Sequence, residues 1–235
     1  MWRAIAFLRR NQLLNRNEFI ARVDELLQKV ATCSPAPAKT VLNLPMNPMP
    51  QDLKGMFGDR FDAVVELWFD NGTEARDVLR AIAANESIVH EADAAIDKAS
   101  SHAWLAEVVE QVPPPAELLR FFVAGQVADG LTVEDAQEYW LTEHPRVFLS
   151  VEDFRPYIAG YTQMHGRDIL VNGEIDWLAS ASFYPMCAEM GLRTAEDVVA
   201  AYALPSYLAI VRPDEERFSK PAHMLSFASD RQRFF

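Results

Sequence analysis

Cysteine is scarce: Cys33 and Cys187 are the only two and stand far apart in the chain, which excludes a disulfide framework and offers no zinc-ligand spacing. Both read as buried thiols. No stretch approaches the ~20 apolar residues that cross a bilayer, so no membrane association is expected. The opening Met1-Trp-Arg-Ala-Ile-Ala-Phe-Leu-Arg-Arg-Asn11 has too short an apolar run for a signal peptide and no small-residue cleavage site behind it. It reads as a strand, and a cytoplasmic protein is expected. Positive charge is also in deficit, with 22 Lys and Arg against 34 Asp and Glu and a net charge of −12. Phosphate backbones need clustered cations, so nucleic acid is not an expected partner. His90, His102 and His223 show no metal-ligand spacing, and no metal is expected. No Gly-rich phosphate loop, Gly-x-Ser-x-Gly elbow or Cys-His nucleophile arrangement occurs, which moves nucleotide-dependent and acyl-transfer enzymes out of the front rank.

What is present is a globular composition: 235 residues, 50% hydrophobic and 24% charged. The order of elements repeats. In the first half, a strand at Arg3 to Arg9 precedes a helix at Asn17 to Val30, then strands at Thr40 to Leu44 and Asp62 to Phe69. A helix from Thr73 through Ile82 and a strand at His102 to Val108 follow. In the second half, a strand at Leu118 to Gln126 precedes a helix opening at Thr132, then strands at Tyr157 to His165 and Asp176 to Phe183. A helix capped by Thr194 and a strand at His223 to Ser229 close the chain. Phe19, Val23, Leu27 and Val30 form an apolar helical stripe. At one constant offset they lie over Ala136, Trp140, His144 and Val147. Thr132-Val-Glu-Asp135 and Thr194-Ala-Glu-Asp197 are both helix-capping patterns and both fall where the repeat requires a helix start. Pro113-Pro114-Pro115 is a stiff, extended junction between the halves.

Each half thus has the order βαββαβ, a ferredoxin-like unit in which two helices cover one face of a four-stranded sheet. The bare sheet face needs a partner, which a second unit in the same chain supplies. The expected fold is α+β: two tandem ferredoxin-like units, 1–112 and 113–235, forming a pseudo-dimeric α/β barrel. Whether such chains pair again as a homodimer of pseudo-dimers is open.

Leu131-Thr-Val-Glu-Asp-Ala-Gln-Glu-Tyr-Trp-Leu-Thr-Glu-His144-Pro145 resembles the EthD-domain pattern of a helix ending in Trp-x-x-x-His. Asp62-Ala-Val-Val-Glu-Leu-Trp-Phe-Asp70 is similar to that family's third strand, and Asp214-Glu-Glu-Arg-Phe218 to its Asp-Glu-x-x-Phe run. The first half departs from the pattern with Leu27 where the family's His would stand, which confines any chemistry of that His to the second half. The resemblance implies a dimeric α/β-barrel protein acting on small molecules. Its relatives include lyases, decarboxylases, dehydratases and isomerases, together with cofactor-free monooxygenases and haem enzymes.

His144 is the sharpest candidate, since an imidazole on a core stripe needs partners or a substrate-sized space and can exchange protons at neutral pH. A structural histidine bonded to a carbonyl is the plain alternative. Tyr157, Ala159, Tyr161, Gln163 and His165 alternate onto one face of a strand. Tyr161 and His165 join His144 as catalytic candidates if that face meets the helix, and are interface groups if it meets the other half. Trp140, Phe183 and Tyr184 are candidate aromatic walls for a substrate, or ordinary core. Tyr139 points away from Trp140, toward surface or interface. Arg9 and Arg10 could bind a carboxylate or simply close a solvated strand end. Asp214-Glu215-Glu216 reads as a solvated helix surface.

The expectation is a cofactor-independent lyase (decarboxylase or dehydratase) or isomerase acting on a small aromatic or polyketide-like compound through His144. A noncatalytic carrier of a small aromatic ligand, and a haem-dependent or cofactor-free monooxygenase, are the alternatives.

Overall fold

The computed structural model describes residues 1–57, 60–115, 118–168 and 173–235. The first half contains β1 (Trp2–Leu8), α1 (Arg16–Thr32), β2 (Lys39–Pro45), α2 (Gln51–Phe57), β3 (Ala63–Phe69), α3 (Gly72–Ala83), α4 (Glu86–Ala95) and β4 (His102–Val112). The second contains β5 (Leu119–Val127), α5 (Val133–Thr142), α6 (His144–Ser150), β6 (Gly160–Gly166), β7 (Ser180–Ala181), β8 (Met186–Leu192), α7 (Ala195–Ala203), α8 (Arg212–Phe218) and β9 (Ser219–Phe234).

Eight antiparallel strands close a barrel in the order β1-β3-β2-β9-β5-β8-β6-β4, with β4 returning to β1. Two long strands make the closure. Residues 102–107 of β4 pair with β1 and its later residues with β6. Residues 219–229 of β9 pair with β5 and its last residues with β2.

Side chains alternate across each strand, and both faces of this sheet are covered, so the strands read as nearly unbroken apolar runs. Ile5 and Phe7 point into the barrel with Val64, Trp104, Phe122, Met164, Cys187 and Phe227. Phe7 sits among rings, its centroid 5.3 Å from Phe61 and 5.6 Å from Trp104. Further along, Arg3 bonds Glu66 (2.9 Å) and Glu189 (2.5 Å), and Asn43 bonds the other oxygen of Glu66 (2.8 Å). The barrel interior is filled with side chains, which leaves its mouth and the space between sheet and helices for a ligand site.

On that outer side, Ala4, Ala6 and Leu8 meet α1, α3 and α4. Asn15 caps α1 in a reciprocal box with Glu18, and Phe19, Val23, Leu27 and Val30 are all buried. Thr132 and Thr194 cap α5 and α7 by accepting from the amides of Asp135 and Asp197.

Asp176 to Phe183 is not the third strand of the second half. That strand is β8, which pairs with β5 and β6. The misread stretch is apolar for another reason: Ile175, Trp177 and Leu178 are buried in the first half's outer core, and Glu174 bonds Arg80 of α3 at 2.7 Å. Only Ser180 and Ala181 form a short parallel pairing with β4. The strand expected from Tyr157 starts at Gly160, because Arg155–Tyr157 is a 3-10 turn.

Candidate functional site

Glu143 ends α5 and precedes α6, so His144 opens a new helix with Pro145 next to it, where a missing amide hydrogen breaks no helical bond. This break turns the imidazole inward, 3% exposed. It lies against Phe218 (ring centroids 4.9 Å apart), Phe148 (5.3 Å) and Tyr161 (6.4 Å).

His144 Nδ1 is 2.8 Å from Asp214 Oδ2. Asp214 is 2% exposed, and its other oxygen accepts from the Tyr139 hydroxyl at 2.5 Å. The Asp-Glu-x-x-Phe run is therefore not a solvated surface: Asp214 and Phe218, four residues apart on α8, both face the imidazole. Burial lowers the His144 pKa, and the Asp214 hydrogen bond and charge only partly offset it. The ring is neutral at pH 7. A neutral ring that meets a carboxylate at Nδ1 donates its proton there and keeps a lone pair on Nε2, which has no hydrogen-bond partner among the described residues.

The strand face carrying Tyr161 meets the helices. Tyr161 Oη accepts from Trp140 Nε1 at 2.9 Å and from Gln163 Nε2 at 3.0 Å. With both lone pairs engaged, its own proton is left for a further acceptor. Burial raises the phenol's pKa, so it stays a donor.

A cavity of about 510 Å³ opens in front of these groups, bordered by His144, Tyr161, Trp140, Phe148, Phe218 and Glu215, with Met186, Ala188 and Met190 of β8 as its floor. A five-residue π-helical turn, Tyr207–Val211, leads into α8 and adds Tyr207 to the wall. Such turns widen a helix locally and recur at functional sites. Tyr207 donates to Glu215 at 3.0 Å, and Arg212 stands 3.5 Å from it. Burial is the main reason that Glu215 is pushed up to about 7. The cavity thus carries an acid, Glu215, that exchanges its proton near neutrality, beside the neutral imidazole of His144.

The expected site residues divide in the structure. His144, Tyr161 and Trp140 border the cavity. His165 does not; four residues beyond Tyr161 on β6, its ring packs at a tilt against Trp140 (4.7 Å) and meets Gln163 Oε1 at 3.2 Å. Burial, with Arg167 adding to it, lowers its pKa to about 4, so it carries no proton to spare at neutral pH. It is a support for Gln163. Phe183 lies at the surface, 37% exposed. Tyr184 packs at the barrel rim against Trp104 (5.0 Å) and His102 (5.7 Å). Both leave the wall because the segment assigned to the third strand runs elsewhere. The side chain of His223 lies outside the described residues. Sequence reasoning missed Asp214, Glu215 and Tyr207 as site residues. The signal for Asp214 was the four-residue spacing to Phe218; none marked Tyr207.

Residues 128–222 match the EthD domain. This span covers α5 through the start of β9, and with it His144, Asp214, Glu215 and most of the cavity wall, while the first half lies outside it. No curated protein matches the sequence. Among solved structures, an anthrone oxidase-like protein superposes with a TM-score of 0.62 at 9% identity, over 99% of this chain and 92% of the other. A candidate monooxygenase from Fusobacterium nucleatum gives 0.55 at 5% identity, over 99% and 92%. Another, from Lactobacillus acidophilus, gives 0.51 at 11%, over 98% and 94%. At these identities the likeness is one of fold alone. Among the described residues no group of three or more His, Cys, Asp or Glu could hold a metal ion, and no helix is long and apolar enough to cross a membrane.

Proposed function

We propose that this chain is a cofactor-independent enzyme of a small aromatic or polyketide-like compound, built from two fused ferredoxin-like units, 1–112 and 113–235, with its chemistry in the second. The observation that carries the proposal is the His144–Asp214 pair at the edge of an aromatic cavity. Asp214 fixes the tautomer, and Nε2 of a neutral ring takes a proton from the substrate as the imidazolium forms against the carboxylate. If the proton leaves a carbon next to a carbonyl, or one conjugated with it through an aromatic ring, the electron pair moves onto the carbonyl oxygen, where the Tyr161 hydroxyl supplies a hydrogen bond. Trp140, Phe148 and Phe218 exclude water and hold the ring system. From the resulting enolate, reprotonation elsewhere gives isomerisation and loss of a β-hydroxyl gives dehydration. A carrier without chemistry would have no use for a buried imidazole whose tautomer is fixed by a carboxylate. Haem fits the cavity poorly: the cation on its wall is Arg212, already within 3.5 Å of Glu215 and Glu216, which leaves no pair of cations for two propionates.

Anthrone, suggested by the name of one structural neighbour, is a suitable probe because its benzylic carbon is acidic and flat rings flank its carbonyl. The test follows deuterium uptake at that carbon by proton NMR, without oxygen. The protein accelerates exchange, and His144→Ala reduces the acceleration at least ~100-fold, the low end for loss of a general base. Asp214→Asn also slows it and moves the acidic limb of its pH profile lower, because the charge that raises the His144 pKa has gone. Equal exchange in a folded His144→Ala variant removes His144 from the mechanism, and a Soret band in the purified protein would make it a haem ligand instead.

A further inference from the structure

A second cavity, of about 560 Å³, meets the first at Ser226, and its character is opposite. Among the described residues, five cations line it, Arg9, Arg10, Arg16, Lys54 and Arg60, against one carboxylate, Asp62. Arg10 already engages that carboxylate: its guanidinium lies 2.7 Å from one oxygen, and its backbone amide donates to the other at 3.0 Å. Arg9 is held by its main chain, whose amide donates to Ser101 Oγ at 2.8 Å and whose carbonyl accepts from the Asp97 amide at 2.9 Å. Neither Arg9 nor Arg16 has a carboxylate within ion-pair distance among the described residues. The rest of the wall is apolar, with Phe61, Phe227, Met46 and Met49.

Two facts make this concentration hard to explain as ordinary surface. The chain carries a net charge of −12, so an acidic neighbour is more readily supplied than a cation, yet the end of β1, the start of α1, α2 itself and the approach to β3 all bring cations to one hollow. Arg16 is also the first residue of α1, where a positive charge opposes the helix dipole. It does not serve the helix it starts; its guanidinium instead donates to the Pro45 carbonyl on the cavity wall at 3.2 Å. Like charges gathered in a concave, partly apolar site repel one another until an anion enters, and arginine forks match carboxylate and phosphate oxygens.

We propose that this cavity binds a small organic polyanion, a molecule with at least two phosphate or carboxylate groups and an apolar body that rests on Phe61 and Phe227. The volume is that of a metabolite site. Arg9 and Arg16 meet the anionic groups, while the Arg10–Asp62 pair fixes the edge of the hollow. The site shares no titratable residue with the His144 cavity and stands whether or not His144 is a base.

Calorimetric titration of the full chain at low ionic strength tests this, with pyrophosphate and citrate as probes and sulfate at matched ionic strength as the reference. One of the two probes binds saturably, at one site, about ten-fold or more tighter than sulfate; pyrophosphate as the tighter probe identifies phosphate groups, and citrate carboxylates. The double variant Arg9→Ala/Arg16→Ala weakens that binding at least ~10-fold, as expected for losing charged hydrogen bonds. Arg146→Ala, which removes an exposed cation on α6 far from the cavity lining, leaves it unchanged. Absence of saturable binding by both probes, binding no tighter than sulfate, or equal affinity in wild type and double variant would overturn the proposal.

Discussion

The two outer layers of the barrel answer the same packing problem differently. Aligned by their element order, Leu27 in the first layer stands where the second has His144, and Ala92 stands where it has Asp214. Leu27 and Ala92 are fully buried in one hydrocarbon core. The strand face beneath differs in the same sense: Leu42 and Leu44 of β2 are buried apolar side chains, whereas β6 presents Tyr161, Gln163 and His165. Asp93, aligned with Glu215, sits at the surface beside Lys98, while Glu215 is largely buried against Tyr207. One layer is packed to closure, and the other keeps an imidazole, a phenol, two carboxylates and a hollow. Buried polar groups and open volume both oppose stability, so the contrast shows where the molecule has given up packing for a site.

That contrast can be broken by mutation. Leu27→Ala opens a cavity in the closed layer and destabilises the protein by about 2–5 kcal/mol, read by urea unfolding, while anthrone exchange by the folded protein stays as in the wild type. A loss of exchange would mean that the first layer takes part in the chemistry. The effect at Glu215 is smaller and depends on pH. Its folded pKa of about 7 lies above the ordinary 4.5, so the folded state holds a proton that the unfolded chain releases. Its contribution is complete below pH 4.5 and is lost as pH rises through 7. Glu215→Gln removes this dependence, so the variant gains on the wild type between pH 4.5 and 8 by on the order of 2 kcal/mol after allowance for residual exposure. Parallel stability curves for the two proteins would contradict the burial of Glu215 as a partly protonated acid.

Much of the scaffold is legible in the sequence, because periodicity, caps and turn residues are local signals. β1, α1, β2 and β3, with the caps at Thr132 and Thr194, follow from apolar spacing and side-chain oxygens at helix starts. The errors come from contacts that are distant in sequence. The stretch at 175–179 looks like a strand because it is apolar, but it is apolar because it covers the other half's core. β8, with Glu189 turned into the barrel toward Arg3 and Arg120, breaks the apolar pattern expected of a central strand. The site shows the same division. His144 stands out against Leu27 within one alignment, whereas Asp214 looks like one of three acids on a solvated helix until α8 is laid against α6. Parity places Tyr161 and His165 on one face correctly; only the position of Trp140 between them decides which of the two reaches the cavity.

The proposed chemistry depends on the protonation state of one ring, that of His144. Nitrogen-15 NMR of the histidine-labelled protein at pH 7, with His144→Ala used to assign the signal, reads both nitrogens directly. The prediction is a neutral ring with its proton on Nδ1, shared toward Asp214, and a bare Nε2. An imidazolium at pH 7, or a neutral ring protonated on Nε2, would contradict it.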